Sequence, residues 1–317
     1  MATFAKSSFD AAGYLASRPT YPAKLYDLIL AYHRGGRAHA LDMGCGPGFM
    51  AVALSPHFSR VSAQDPSEKM VSVGLQPADG HISYSLGSAE DMSALPAHSV
   101  DLAVAGQAAH WFDHKRAWSE LARILAPRGT VAYVGYGEMG VTGHARASAV
   151  FRDLVRGDMG AFWPQPGRSI VEGLLDAVPF PVAPALDART EARLARIPSL
   201  EGGMPVAARI REPEAVDGEG WDAASAVRLK GSTEGAWALR RRWSMDEIEA
   251  YVRTSSAYHA YAAAHPEDAA RRGRGRDDGD VVERRMAQIK DALTEDGWDG
   301  GAVDVEWPLV VMMIQRL

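Results

Sequence analysis

A chain of 317 residues is long enough for one large domain with an insertion, or for two small domains. Its 47% apolar and 23% charged content are ordinary for a globular protein, and a net charge of −6 argues against a general nucleic-acid binder, which normally presents a basic face. The single cysteine, Cys45, precludes a disulfide framework within the chain and fits a reducing compartment. Met1 to Asp10 lacks the charged-then-apolar pattern of a secretory signal. No apolar run approaches the ~20 residues needed to cross a bilayer. The expectation is a cytoplasmic protein without membrane or nucleic-acid partners.

Residues 1 to 20 read as a short arm, followed by an amphipathic helix from Pro22 to His33. Strands are predicted at Ala38 to Met43, Arg60 to Gln64, Ile82 to Leu86, Val100 to Ala105 and Thr130 to Tyr136. Helices are predicted between them at Phe49 to Leu54, Ser67 to Val73 and His114 to Leu125, the last stopped by Pro127 and Gly129. Alternation of this kind predicts a Rossmann-like, doubly wound α/β fold with a seven-stranded, mostly parallel sheet. After Gly137 the alternation stops. Residues 138–240 read as an insertion or lid over the acceptor site, with a helix near Ala145 to Arg156. Residues 1–137 then form the cofactor-binding core with its arm, and 241–317 the remainder of the core. In that remainder a Ser-Met-Asp-Glu capping box opens a helix from Ser244 to His259. A Gly, Arg and Asp loop follows, then a helix from Val281 to Leu293 and an apolar, antiparallel final strand from Val303 to Arg316.

The most telling stretch is Leu41-Asp42-Met43-Gly44-Cys45-Gly46-Pro47-Gly48, between the first strand and its helix. Glycines let a backbone turn tightly and approach a ligand closely, and such a loop is the usual cofactor position in an open α/β sheet. A dinucleotide fingerprint needs glycine at the first, third and sixth positions. Counted from Gly44, the sixth is Phe49. The pattern is instead Asp-x-Gly-x-Gly-x-Gly, which resembles motif I of the class I S-adenosylmethionine-dependent methyltransferases. That cofactor has no phosphate to cradle, but carries a sulfonium and an ammonium that suit an acid at Asp42. Cys45 reads as a small residue filling the turn rather than a nucleophile.

Further features fall in the order this resemblance requires. Gln64-Asp65-Pro66-Ser67 ends the second strand, where an acid takes the ribose hydroxyls. Ser67 caps a helix whose Met70 suits contact with an adenine face. Gly87-Ser88-Ala89-Glu90-Asp91 follows the third strand at the expected adenine position, so Ala89 and Glu90 are candidate contacts. Gly106-Gln107-Ala108-Ala109-His110-Trp111-Phe112 follows the fourth, at the mouth where a methyl group is presented.

A narrower resemblance rests on Tyr14 with Arg18-Pro19-Thr20-Tyr21-Pro22, on Ala109 to Asp113, on Tyr251 to His259 and on Val305-Glu306-Trp307-Pro308. Together these are similar to fungal small-molecule methyltransferases related to trans-aconitate methyltransferase and to the cantharidin-resistance methyltransferase of yeast. The resemblance covers most of residues 4 to 136 and 243 to 317 and is poor across roughly 140 to 240. Ser255-Ser256 stands where relatives carry Thr-Trp-Ser, leaving a smaller, more polar wall if that helix faces the pocket.

The resemblance implies methyl transfer to a small organic acceptor, with a carboxylate favoured, S-adenosyl-L-homocysteine as product and no metal. A carboxylate is already ionised and needs no base. For a phenol or amine, His110 is the candidate base or orienter, and its plain alternative is a histidine that orders the loop. Trp111, Tyr136, Trp163 and Arg253 are candidate acceptor contacts. Tyr14 and Arg18 could close the arm over the cofactor carboxylate, while Asp42, Gly44, Cys45, Gly46, Gly48, Asp65, Pro66, Met70, Ala89, Glu90, Gln107, Ala108 and Trp111 line the cofactor. The alternatives are an N-, C- or phenol O-methyltransferase, a cofactor-binding scaffold without catalysis, and a dehydrogenase.

Overall fold

A computed structural model describes residues 13, 15, 17–78, 80–185, 218–231 and 238–317. The chain divides into two compact units. One, the core unit, comprises Thr20–Gly137, Ser169–Ala238 and Pro308–Leu317; the second comprises Met1–Pro19, Glu138–Arg168 and Leu239–Trp307.

The core unit is organised around β1 (His39–Met43), all five of whose residues are buried. β2 (Arg60–Asp65) and β4 (Val100–Gly106) flank it, both parallel to it. β3 (Ile82–Leu86) lies outside β2, and β5 (Leu125–Tyr136) outside β4, again parallel. Strands covered on both faces read as continuous apolar runs, as Val100 to Ala105 does. β5 begins five residues earlier than predicted. Pro127 and Gly129 end the preceding helix, but the chain pairs on both sides of them, skipping from Val100↔Leu125 to Leu102↔Thr130.

The final strand, β9 (Val303–Arg316), runs antiparallel to β5 from Leu309 to Gln315, as expected. On its other side it takes β7 (Trp221–Lys230), also antiparallel. The order β3-β2-β1-β4-β5-β9-β7 is thus seven strands long, and β7 was not predicted. In the second unit, β6 (Gly140–Val141) and β8 (Ala238–Trp243) also pair with β9, which brings the described strands to nine rather than seven. The helix His114–Ile124 buries Ala117, Trp118, Leu121 and Ile124 in one cluster with Tyr133, Val131 and Met312 of the sheet. Because β1 is flanked by β2 on one side and β4 on the other, the strand order reverses there. A crevice opens at such a switch point, outside the carboxyl ends of the strands.

In the second unit the predicted helix Ser244 to His259 is two helices. Met245–Arg253 opens on the expected capping box, in which Ser244 and Glu247 exchange bonds with each other's backbone. Ser256–Ala264 then starts afresh, because the Ser255 side chain accepts from the Tyr258 N–H and caps a new helix. Val281–Glu295 opens on a second capping box, Asp280 with Glu283.

Arg253 meets its carboxylate inside this unit. Its guanidinium donates to Asp280 Oδ2 at 2.6 Å and Oδ1 at 3.0 Å, and its Nε to Glu249 at 2.8 Å. Tyr258 accepts from Arg253 at 2.6 Å and donates to Asp280 at 3.0 Å. Burial would raise the Asp280 carboxyl, but the Arg253 bonds outweigh it and hold the group below the ordinary carboxylate range. The pair's contribution is therefore complete above that range and is lost as pH falls through the lower folded value. Asp280→Ala, which leaves the buried guanidinium with Glu249 as its one carboxylate, is expected to cost about 3 kcal/mol in urea unfolding near neutral pH. A loss below about 1 kcal/mol would show the pair to be no stronger than a surface one.

Candidate active site

The backbone leaving β1 turns between two walls. Gly44, Gly46 and Gly48 take φ of 61°, 52° and 92°, a region that strains any residue with a Cβ. A Cβ on Gly44 would lie 2.6 Å from that of Ala108, and one on Gly48 2.0 Å from the Tyr84 hydroxyl. That hydroxyl is itself fixed by donating to the Leu75 carbonyl at 2.6 Å. A Cβ on Gly46, by contrast, would meet nothing within 4 Å. The flanks of the loop are wedged while its centre faces open space, the form of a cradle. Cys45 is buried, and burial, reinforced by Asp42 and Asp65, pushes its thiol far up, so it is no thiolate nucleophile.

Two acids border the cradle. Asp65, at the end of β2, accepts from the Gly46 N–H at 2.9 Å and from the Ser67 N–H at 2.8 Å, tying the glycine loop to the turn at Pro66. Its carboxyl is pushed up by burial, against the pull of those two bonds. Asp42 accepts from the Ala51 N–H at 3.0 Å through Oδ2, while its Oδ1 finds no donor among the described residues. It is 1% exposed, and burial pushes its carboxyl up to about 8. Met70 is buried on the helix capped by Ser67, and Pro66 is exposed. Ala89 is buried, and Glu90 accepts from the Asp113 N–H at 2.9 Å.

The mouth is set by Gln107, which has φ of 54°. Its side-chain amide donates to the Tyr136 carbonyl at 3.0 Å and accepts from the Tyr136 N–H at 2.8 Å. Gln107 therefore clamps the end of β4 to the end of β5. Ala108 is buried against the glycine loop, and the turn Ala109–Trp111 follows. Trp111 is 43% exposed, with its ring 4.8 Å from that of His110. The His110 Nδ1 is buried and has no partner among the described residues, and burial lowers the ring to about 4. The Tyr136 ring lies 6.2 Å from Tyr21.

Two residues were missed in the sequence. Among the described residues neither ring nitrogen of His114 has a hydrogen-bond partner, nor does the hydroxyl of fully buried Tyr133, whose ring is 6.3 Å away. Burial lowers His114 to about 4, against the pull of Glu90 and Asp113. Nothing in the local sequence marks them, since both follow the apolar pattern of their elements.

The residues present fit S-adenosylmethionine. A buried acid with one oxygen unused suits an ammonium, the open centre at Gly46 admits the ligand's approach, and Asp65 borders the same loop. Residues 41–133 match the family model described as a methyltransferase domain. This segment is similar to methyltransferase domains. The chain is 31% identical over 139 residues to a probable S-adenosylmethionine-dependent methyltransferase, CRG1, of Saccharomyces cerevisiae, covering 42% of this chain and 48% of that protein. It is 30% identical over 191 residues to methyltransferase cfoB of Aspergillus candidus, covering 54% and 59% of the two. The chain thus spans about half the length of these curated relatives. A solved structure, described as that of a candidate type II methyltransferase from Anaeromyxobacter dehalogenans, superposes with a TM-score of 0.61 at 29% identity. That match covers 93% of this chain and 97% of the other. The chain is thus similar in sequence to a probable S-adenosylmethionine-dependent methyltransferase and in fold to a solved methyltransferase structure.

Asp42, the glycine loop, Asp65, Met70, Ala89, Glu90 and the stretch Gln107 to Trp111 lie with Tyr136 in the core unit, which contains all of the segment matched by the methyltransferase model. Arg18, Trp163 and Arg253 belong to the second unit. Arg18 donates to the Thr254 carbonyl at 3.2 Å, its guanidinium 4.9 Å from the Tyr251 ring. Trp163 donates to the Val155 carbonyl at 2.7 Å beneath the Arg168 guanidinium. Tyr14 lies outside the described residues. Among the described residues no group of three or more His, Cys, Asp and Glu could hold a metal, and no helix is long and apolar enough to cross a membrane.

Replacing Gln107 by alanine removes both halves of its clamp and keeps the unfavourable φ. We expect a loss of about 1–3 kcal/mol in thermal or urea unfolding. Gln107→Glu, which keeps the acceptor and loses the donor, should fall between wild type and alanine. Equal stability of all three would mean the clamp does not hold the mouth.

Proposed function

We propose that the protein transfers the methyl group of S-adenosylmethionine to a carboxylate oxygen of a small organic acid. The observation that carries the carboxylate assignment is the state of His110. Among the described residues no carboxylate bonds to its ring and its Nδ1 has no partner, and burial lowers it to about 4, a weak base. A site without a competent base suits an acceptor that arrives ionised, and resemblance to the trans-aconitate group supports the same choice. When bound, the cofactor supplies an activated methyl on a sulfonium, for which a protein mainly provides alignment and a dry, shaped electrostatic surrounding. Asp42 takes the ammonium, the open glycine centre admits the methionine moiety, and Asp65 takes the ribose hydroxyls. Exposed Trp111 offers a flat apolar face to the acceptor, and the Gln107 clamp holds that face in place.

A second reading is a phenol or amine acceptor whose proton passes to the unused Nδ1 of His110. Incubation with labelled cofactor and a panel of di- and tricarboxylates, phenols and amines separates the two. Under the carboxylate reading only acids become labelled, and His110→Ala lowers kcat by less than about tenfold. Labelling confined to phenols or amines, with a loss of about 10²–10⁴ in His110→Ala, overturns it. The cofactor half is tested by calorimetry with S-adenosylhomocysteine. Asp65→Ala should weaken binding by about 10–100-fold, the worth of bonds to a charged group, and undiminished binding would remove Asp65 from the site.

A further inference from the structure

Among the described residues of the core unit, Asp42 is the one acid placed in full burial with half of its carboxyl unused. Oδ2 holds the Ala51 N–H at 3.0 Å, Oδ1 has no donor among the described residues, and 1% of the residue is exposed. An ionised carboxylate in that position lacks both solvent and a counter-charge, the costliest arrangement for a buried charge. The groups facing it do not relieve this. They are Asp65 from β2, Tyr26 from the helix Ala23–Tyr32, Cys45 in the glycine loop and Tyr84 from β3, each of which is neutral or negative and none cationic. The neighbouring phenols and thiol are themselves held in their protonated forms, chiefly by burial. Asp65 differs, because two backbone N–H groups compensate its two oxygens.

We propose that Asp42 is a neutral acid in the ligand-free protein and releases its proton to solvent as it takes the ammonium of the cofactor, so that cofactor capture is coupled to pH. The proposal rests on the methyltransferase reading of the site. The balance is one proton lost from Asp42 and one positive charge gained from the ligand, so the site is uncharged before and after. No neutral isostere of the amino group can trigger the exchange, so the site selects for an ammonium without a permanently buried charge. The sign follows from burial, which sets the free carboxyl near 8. Below that value each binding event must expel a proton, and apparent affinity rises about tenfold per pH unit toward pH 8. Above it the affinity levels off.

Calorimetry with S-adenosylhomocysteine on the full chain, near pH 7 in buffers of differing ionisation enthalpy, reads the proton directly. The expected release is about nine-tenths of a proton, the protonated fraction of a group near 8, falling toward zero above about pH 9. In Asp42→Asn, which keeps the bond to Ala51, the release disappears and binding becomes independent of pH. Infrared spectroscopy supplies a readout independent of affinity: a carboxylic-acid carbonyl band in the free wild type, absent from Asp42→Asn, that vanishes on addition of S-adenosylhomocysteine. Binding without buffer dependence, or equal proton release in wild type and Asp42→Asn, overturns the proposal and leaves the cofactor assignment standing. Absence of any binding overturns the cofactor assignment itself.

Discussion

The constraint on which the site depends is steric. The chain must leave the buried end of β1 between Ala108 on one side and Tyr84 on the other, and only glycine at 44 and 48 leaves room. With both flanks wedged, the centre of the loop cannot drift, and Gly46 is held facing open space by the bond from its N–H to Asp65. The same turn brings the N-terminus of the helix Phe49–Leu54 against Asp42, through the Ala51 N–H. A single backbone trajectory thereby fixes the cradle and both acids. It also transmits the position of the loop after β4, since Ala108 is one of the walls.

The parallel order around β1 makes this trajectory possible. β2 and β4 lie on opposite sides of β1, so the loops that follow all three emerge at one edge and converge on one crevice. β9 and β7 extend the sheet on the far side of β5 and put no residue into the cradle described here. Their role in the core unit is to cover β5, which lets Tyr133, Val131 and Met312 form one buried cluster with the helix that follows the mouth.

The parts of the fold that were legible in the sequence are those whose signal is local. Val100 to Ala105 reads as a buried strand because every residue but Asp101 is small or apolar, and the Ser244 capping box announces its helix within four residues. β7 was not legible. Its sequence Asp222-Ala-Ala-Ser-Ala-Val shows no alternation, and its pairing with β9 shifts register between Asp222 and Val227, so no period of two survives. The early start of β5 was hidden by Pro127 and Gly129, which truly end a helix but do not prevent pairing on either side. In the site, Asp42, the glycines and Asp65 were legible from spacing along one chain segment. The engagement of Arg253 by Asp280 was not, because the two lie 27 positions apart and no local rule joins them.

What separates a structural polar group from a functional one in this protein is whether the protein completes its hydrogen bonding. Asp280 receives a forked guanidinium, a phenol and the Glu283 N–H of the helix it caps, and with every lone pair used it serves the packing of helices. Gln107 likewise spends its amide on one backbone unit, so a residue at the mouth acts as a clamp rather than a contact. Buried Asp42 and half-buried His110 are each left with a polar atom that has no partner among the described residues. Leaving buried polar atoms unpaired is costly, and a fold that could complete Asp280 with several partners does not lack the means to complete Asp42. Asp42 lies near the end of β1 and His110 in the turn after β4, the neighbouring strands at the switch point. Both unfinished groups thus stand at the carboxyl ends of adjacent parallel strands, where a doubly wound sheet places its ligand.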